Sequence, residues 1–377
     1  MHRRTNPSGT VSLSVMAAAT TASLLLTGCQ TTSGTHNTVD STGVAESTTV
    51  ETTTRTYAFG EISAQMGINV PIGRPAVAHD GKTVWVPTAD WIESIDIPTL
   101  GQQGGANVYP KPEARQIALA PDSPNLFFED RFGAIGVADS ATRKVVKTVP
   151  SGIENDIADE FVMSRNGSTA YLLGSSDSDV VSIVDVAGSS PTKSVRTNTY
   201  ARGPGAIALS PDGGTVYYLA QTKGHLDPEI AVFDTKAAAL TRTIPLPETS
   251  PAAGPTAFAL SPDGKHLYVT GTDPEAAAGA PQTMSVVDTA TGKITAEVQV
   301  GIDPVDVSVT PDGRYAGVVS RHDGVISLID TQTNQVVATA EQPKAEPIYI
   351  AMSPDSRFAY VATKASQRLL QISVTRS

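Results

Sequence analysis

In the larger, C-terminal part of the chain, large apolar residues alternate with small or polar ones. Ile207 and Leu209 alternate with Ala208 and Ser210, and Val307 and Val309 alternate with Ser308 and Thr310. A strand with this pattern presents a bulky face and a small face, which suits sheets packed face to face. Each such strand leads into one kind of turn and then into a continuous apolar strand, as in "ALSPDGKHLYVTG". The turn has a mechanism: Ser or Thr starts it, Pro presets φ, Asp bonds back to the backbone and Gly accepts φ > 0. Aligned on its Asp or Asn, it occurs seven times, at Asp80, Asp122, Asn166, Asp212, Asp263, Asp312 and Asp355, with spacings of 42, 44, 46, 51, 49 and 43 residues. Two hairpins per unit at such a period predict a β-propeller. "AHDG" and "SRNG" depart from the usual turn, and Ser123 and Ser356 stand where Gly is expected. Less regular turns are expected there.

Each unit adds a third strand ending in Asp, at Asp96, Asp139, Asp185, Asp234, Asp288 and Asp330, then a turn and a fourth strand. Phrases such as "SPDGKHLYVTGTD" and "VVDTATGKI" resemble those of the YVTN family of seven-bladed β-propellers, and the resemblance covers about residues 56–377. It implies an all-β fold of seven four-stranded antiparallel blades. It implies little about activity, because that family includes surface-layer and scaffold proteins. The seventh unit supplies three strands, and "GEISAQMGINVPIGRPAVAHDG" (60–81) parallels "GKITAEVQVGIDPVDVSVTPDG" (292–313). Glu61 to Val70 is therefore expected to complete the last blade and close the ring, which removes open sheet edges.

The N-terminal end has a different composition. Arg3 and Arg4 precede a weakly apolar run, Val11 to Leu26, that ends in Leu26-Thr27-Gly28-Cys29. This is the layout of a secretory signal, and its ending resembles the bacterial lipoprotein box, which makes Cys29 the acylated first residue. Residues 1–28 are read as the signal peptide and 29–55, rich in Thr and Ser, as a flexible tether. The expected location is the extracytoplasmic face of a cell membrane, held by the lipid. Cys29 is the single cysteine, so no disulfide, haem-attachment or thiolate metal site is available. The chain has 377 residues and a net charge of −11. That charge argues against a nucleic-acid partner, since phosphate binding needs a basic patch.

Candidate chemistry concentrates where the innermost strands begin, six residues before each turn Asp or Asn. These positions hold Arg74, Gln116, Glu160, Ala206, Ala257, Asp306 and Tyr349. They should ring the mouth of the central channel, on the face called top here. Packing alone asks for small residues there, so the five polar or aromatic ones are candidate contacts for a protein partner or small polar ligand. Arg321 and His322 in "SRHDG" add a loop on the same face. The inserts "AQTKGHLDPEI" and "GTDPEAAAGAPQTM", in blades 4 and 5, suggest a lid or docking edge beside the two Ala positions. No HExxH, GxSxG or phosphate loop occurs, so no catalytic residue, metal or cofactor is assigned. "ENDIADE" (154–160) offers oxygen ligands for Ca²⁺ but reads as a solvated loop. The expected function is a binding or scaffold module. A lactonase-type hydrolase, with metal assistance at an acidic mouth, is the alternative, and a cofactor-less relative of amine dehydrogenase propeller subunits is a third reading. If Cys29 carries the anchor, Cys29→Ser moves the protein from the membrane fraction to the soluble or secreted fraction; unchanged membrane association contradicts the lipoprotein reading.

Overall fold

The computed structural model describes residues 60–97, 106–110, 116–129, 133–153, 160–174, 178–201, 207–222, 228–246, 255–271 and 280–374. Cys29, the tether, Ala206, His225, residues 154–159 of the acidic run and most of the blade 5 insert lie outside them. The named elements are all strands, arranged in seven antiparallel sheets. Blade 6 shows the pattern: Pro304–Val309 innermost, then Tyr315–Ser320, Val325–Asp330 and Gln335–Glu341 outermost. Blade 4 carries a fifth short strand, Thr199–Ala201. The fold is a seven-bladed β-propeller.

Blade 7 takes its outer strand from the other end of the chain. Ile62–Gly67 pairs antiparallel with Arg368–Ser373, in register from Ala64↔Gln371 to Gly67↔Arg368, with a one-residue slip between Ala64 and the pair Ile62↔Ile372. The expected closure therefore forms. A polar relay crosses three strands of this blade: Ser63 Oγ donates to Gln371 Oε1 (3.0 Å), and Gln371 Nε2 donates to Tyr360 Oη (2.9 Å). Burial pushes the Tyr360 hydroxyl up to about 12, against the opposing effect of the Gln371 bond.

The core lies between the blades. Five residues after each turn Asp or Asn come Trp85, Phe127, Tyr171, Tyr217, Tyr268, Gly317 and Tyr360. Each aromatic packs against the next blade: Phe127 on Phe161 and Met163, Tyr217 on Phe258 and Leu267, Tyr268 on Val307 and Val318, and Tyr360 on Val84 and Ile95. At Gly317 the direction reverses, because Met352 and Ile350 of blade 7 fill the space. An added Cβ there would sit 2.6 Å from Met352 Cε. Each aromatic contributes roughly 2 kcal/mol of burial, more than one inter-blade hydrogen bond at about 1 kcal/mol. Packing holds the blades together, and hydrogen bonds fix their register.

Those bonds explain the recurring phrases. The hydroxyls of Tyr171, Tyr217 and Tyr268 stand against Thr235, Thr289 and Thr331, the residues after the third-strand Asp of the next blade. Each Thr hydroxyl donates to a glycine carbonyl of the "DG" turn in its own blade: Gly213 (2.8 Å), Gly264 (2.8 Å) and Gly313 (2.6 Å). A tyrosine of one blade and the Thr–Gly bond of the next thus sit together where neighbouring blades meet.

The first turn keeps its closing bond through its sequence variants, although Ser123, unlike Ser356, does not take the left-handed backbone that glycine takes there. In all seven blades the residue after the turn Asp or Asn donates its N–H to the carbonyl three residues back, Ser123 to Ala120 and Ser356 to Ser353 among them. Ser356 takes φ 60, in the left-handed region where Gly213 has φ 73. Its Oγ also accepts the Asp312 N–H of blade 6 at 3.0 Å, an inter-blade bond that glycine could not make. In blades 4 to 7 the turn carboxylate accepts the preceding Ser or Thr hydroxyl at 2.5–2.6 Å. That hydroxyl is the main cause holding Asp212 and Asp263 below the usual carboxylate range. Thr289→Val should leave the Gly264 carbonyl without its hydroxyl donor and remove the polar neighbour of Tyr217 Oη, and cost about 1–2 kcal/mol in denaturant unfolding. A neutral effect would show that this contact does not hold these blades.

Candidate functional site

The mouth residues are aimed by local irregularities in the inner strands. In blades 5, 6 and 7 the strand starts at a proline, Pro255, Pro304 or Pro347, and the pairing slips by one residue before the ring position. The register passes from Pro304↔Ser320 directly to Asp306↔Val319, so Val305 is a bulge. Proline suits a strand start because it has no N–H to donate, and a bulge turns the next side chain toward a new neighbour. The two-residue step from Pro to the ring position is written in the sequence, and it is the signal that would have foretold these bulges.

Asp306 is 2% exposed, and its carboxylate takes four hydrogen bonds. Oδ1 accepts the Val307 N–H (2.9 Å) and an Arg74 Nη2–H; Oδ2 accepts the Ile350 N–H of blade 7 (2.9 Å) and Arg74 Nε–H (3.1 Å). This fills the roughly four acceptor sites of a carboxylate. Burial works against the charge of Arg74, but the Asp306 carboxylate and its hydrogen bonds, with Glu160 and Tyr349 behind them, outweigh it and raise the guanidinium above the ordinary arginine range. Arg74 belongs to blade 1, Asp306 to blade 6 and Glu160 to blade 3. One guanidinium therefore lies within the fields of acids from well-separated blades. Tyr349 Oη donates to the Ile72 carbonyl (3.2 Å).

Gln116 repeats the Asp306 device. Its Oε1 accepts the Phe161 N–H of blade 3 at 3.2 Å, as Asp306 accepts the Ile350 N–H of blade 7. In both cases the ring side chain satisfies the N–H one residue past the next blade's ring position. The sequence offered these residues as contacts for a partner or ligand at the channel mouth, yet Glu160 is 4% exposed and Asp306 is 2% exposed. Of the ring, Arg74 keeps 33% of its side chain exposed. The polar residues are there partly because the innermost N–H groups have no further strand to pair with, and a buried N–H needs a partner.

Arg321 and His322 lie in the turn between Tyr315–Ser320 and Val325–Asp330, and both are exposed. Arg321 Nε donates to Asp303 Oδ2 at 2.7 Å. The turn is fixed from below: Asp323 accepts the N–H groups of Ile302 (2.8 Å) and Val325 (3.2 Å). Gly301 passes so close that an added Cβ would be 2.7 Å from Asp323 Oδ2. The turn is a rigid platform presenting a guanidinium and an imidazole, paired with its own Asp303 and not with the ring.

Sequence reasoning passed over Glu93 and Glu129, which are 5% and 3% exposed. Glu129 ends the largely apolar strand "NLFFE" and Glu93 lies in the first half of "WIESID"; a carboxylate inside a buried strand is the signal that marks them. Burial pushes the Glu93 carboxyl up, against the Asn69 N–H bond it accepts at 3.0 Å. In blade 4 part of the long insert becomes strand: Thr215–Thr222 and Pro228–Asp234 extend upward, and Thr199–Ala201 pairs with Ala220 to Thr222.

No protein-family model matches the chain, and no curated protein matches its sequence. Solved propellers match its shape. A chain of the hydrazine synthase of Kuenenia stuttgartiensis superposes with TM-score 0.69 at 20% identity, over 85% of this chain and 100% of that one. The β-propeller domain of Cps50 (Swd1) from Myceliophteria thermophila gives TM-score 0.64 at 12% identity, over 84% and 100%. Likeness at these identities shows the fold alone. Within the ring, Asp306→Ala removes a charged acceptor from two backbone N–H groups and should cost about 2–3 kcal/mol, while Gln116→Ala, losing one neutral bond, should cost about 1 kcal/mol. Denaturant melts check the order; equal costs would contradict the buried role given to Asp306.

Proposed function

We propose that this propeller is a binding or scaffold module of the YVTN kind, held at the outer face of a membrane by a lipid on Cys29, and that its top face engages a protein partner or small polar ligand. The observation that carries this reading is Arg74. Asp306 uses two of its five N–H groups and fixes the side chain in place. Three remain for an acceptor, and a third of the side chain reaches solvent. A guanidinium already positioned loses little freedom on binding.

Charge narrows the acceptor. Asp306 and Glu160 together outweigh the one positive charge of Arg74, so a carboxylate would meet repulsion. An uncharged oxygen, such as an amide carbonyl on a partner's loop, suits the three N–H groups better. Arg321 and His322 extend this surface over blade 6, and Gln116, Glu160 and Tyr349 shape the floor beneath it. The hydrolase alternative is not favoured: metal assistance needs carboxylate oxygens converging with acceptor sites to spare, and those of Asp306 are committed to Arg74, Val307 and Ile350.

Affinity capture from membranes, with wild-type protein and with Arg321→Ala plus His322→Ala, tests the assignment. The double variant should lose or weaken its captured partner by about 1–2 kcal/mol with an unchanged Tm, because both side chains are exposed. An identical partner set and affinity would place the binding surface elsewhere.

A further inference from the structure

The closing strand is held at the outer edge of blade 7, and the chain must then cross inward to begin blade 1. Residues 68–74 make that crossing along the seam between the two blades, and they are tied down at almost every step. The Ile68 N–H donates to the Gln367 carbonyl of blade 7 (2.9 Å), the Asn69 N–H to Glu93 of blade 1 (3.0 Å), and the Ile72 N–H to the Pro87 carbonyl of blade 1 (3.0 Å). The Ile72 carbonyl accepts Tyr349 Oη of blade 7. The crossing ends at Arg74, which reaches over blade 7 to Asp306 of blade 6, and Asp306 also holds the Ile350 N–H of blade 7.

We propose that the Arg74–Asp306 pair is an inner latch on the ring's seam, a second closure that acts at the channel mouth while Ile62–Gly67 acts at the rim. Between blades 2 and 3 the corresponding contact is the single bond from Phe161 N–H to Gln116. At the seam the same position carries an ion pair that spans three blades. Its partners are 232 residues apart in the chain, and the Tyr349 bond joins residues 277 apart. Contacts of this range gain nothing until the whole ring is assembled, because loop closure must come first. They therefore stabilise the closed ring and nothing short of it. Opening at the seam, or between blades 6 and 7, breaks the pair, and opening at any of the other interfaces leaves it intact.

A lock on the rim tests this independently of any ligand. Gly67 and Arg368 are register partners in the closing pair, and an added Cβ at Gly67 meets nothing within 4 Å. Gly67→Cys with Arg368→Cys, in a Cys29→Ser background, allows a cross-strand disulfide. In the reduced protein, Asp306→Ala should speed hydrogen exchange of the Ile62–Gly67 amides at least about tenfold more than that of Asn125–Glu129 in blade 2, because the seam opens locally without global unfolding. With the rim oxidised that excess should fall below about twofold, and Gln116→Ala should give none in either state. An excess that is absent from the reduced protein, or unchanged by the disulfide, would overturn the latch and leave Asp306 a locally buried group. If Asp306→Ala does not fold or the disulfide does not form, Asp306→Asn in the reduced protein decides by the same comparison: an excess of about tenfold at Ile62–Gly67 supports the latch, and equal speeding of the two strands overturns it.

Discussion

A ring of blades is stable only if its first and last members are held together, and here that rests on the pairing of Ile62–Gly67 with Arg368–Ser373. Without it, the third strand of blade 7 would expose a row of unpaired backbone groups. The interface between blades 7 and 1, where Met66 and Tyr360 pack with Val84 and Ile95, would lose part of its lining. Every other interface is made by neighbours in sequence. This one joins residues far apart in the chain, as in the bond from Tyr349 to Ile72, 277 positions apart.

The repeated phrases are the visible trace of how the interfaces are built. A tyrosine from one blade stands against a threonine of the next, which is bonded to its own turn glycine carbonyl, so three scattered motif letters must recur together. Where the aromatic is missing, at Gly317, the neighbouring Met352 and Ile350 take its volume. Close packing between sheets tolerates a change of donor but not an empty space.

The fold was legible because it is local physics repeated seven times: alternation, a turn with its own mechanism, and a period. The closing strand was legible because 60–81 copies the text of 292–313. The mouth was legible in position only. Counting back from the turn Asp located Arg74, Gln116, Glu160, Asp306 and Tyr349, yet their burial could not be read. It depends on where the bulges after Pro255, Pro304 and Pro347 aim the strands, and on an arginine crossing a whole blade. Pairing at that distance leaves no periodic signal. Nor did the sequence reveal that Ser356, in a glycine's place, both keeps its turn and bonds to blade 6.

The mouth thus serves two demands. Its carboxylate and amide groups satisfy backbone N–H groups that have no further strand to meet, and Arg74, held by Asp306, keeps donors turned to no other described group. The account stands on the ring being closed by its N-terminal strand, and hydrogen exchange of the unmodified protein tests that directly. Amides of Ile62–Gly67 should exchange as slowly as those of Arg368–Ser373, their partners in blade 7. Exchange of the first set within seconds while the second stays protected would show that the strand is not the closure.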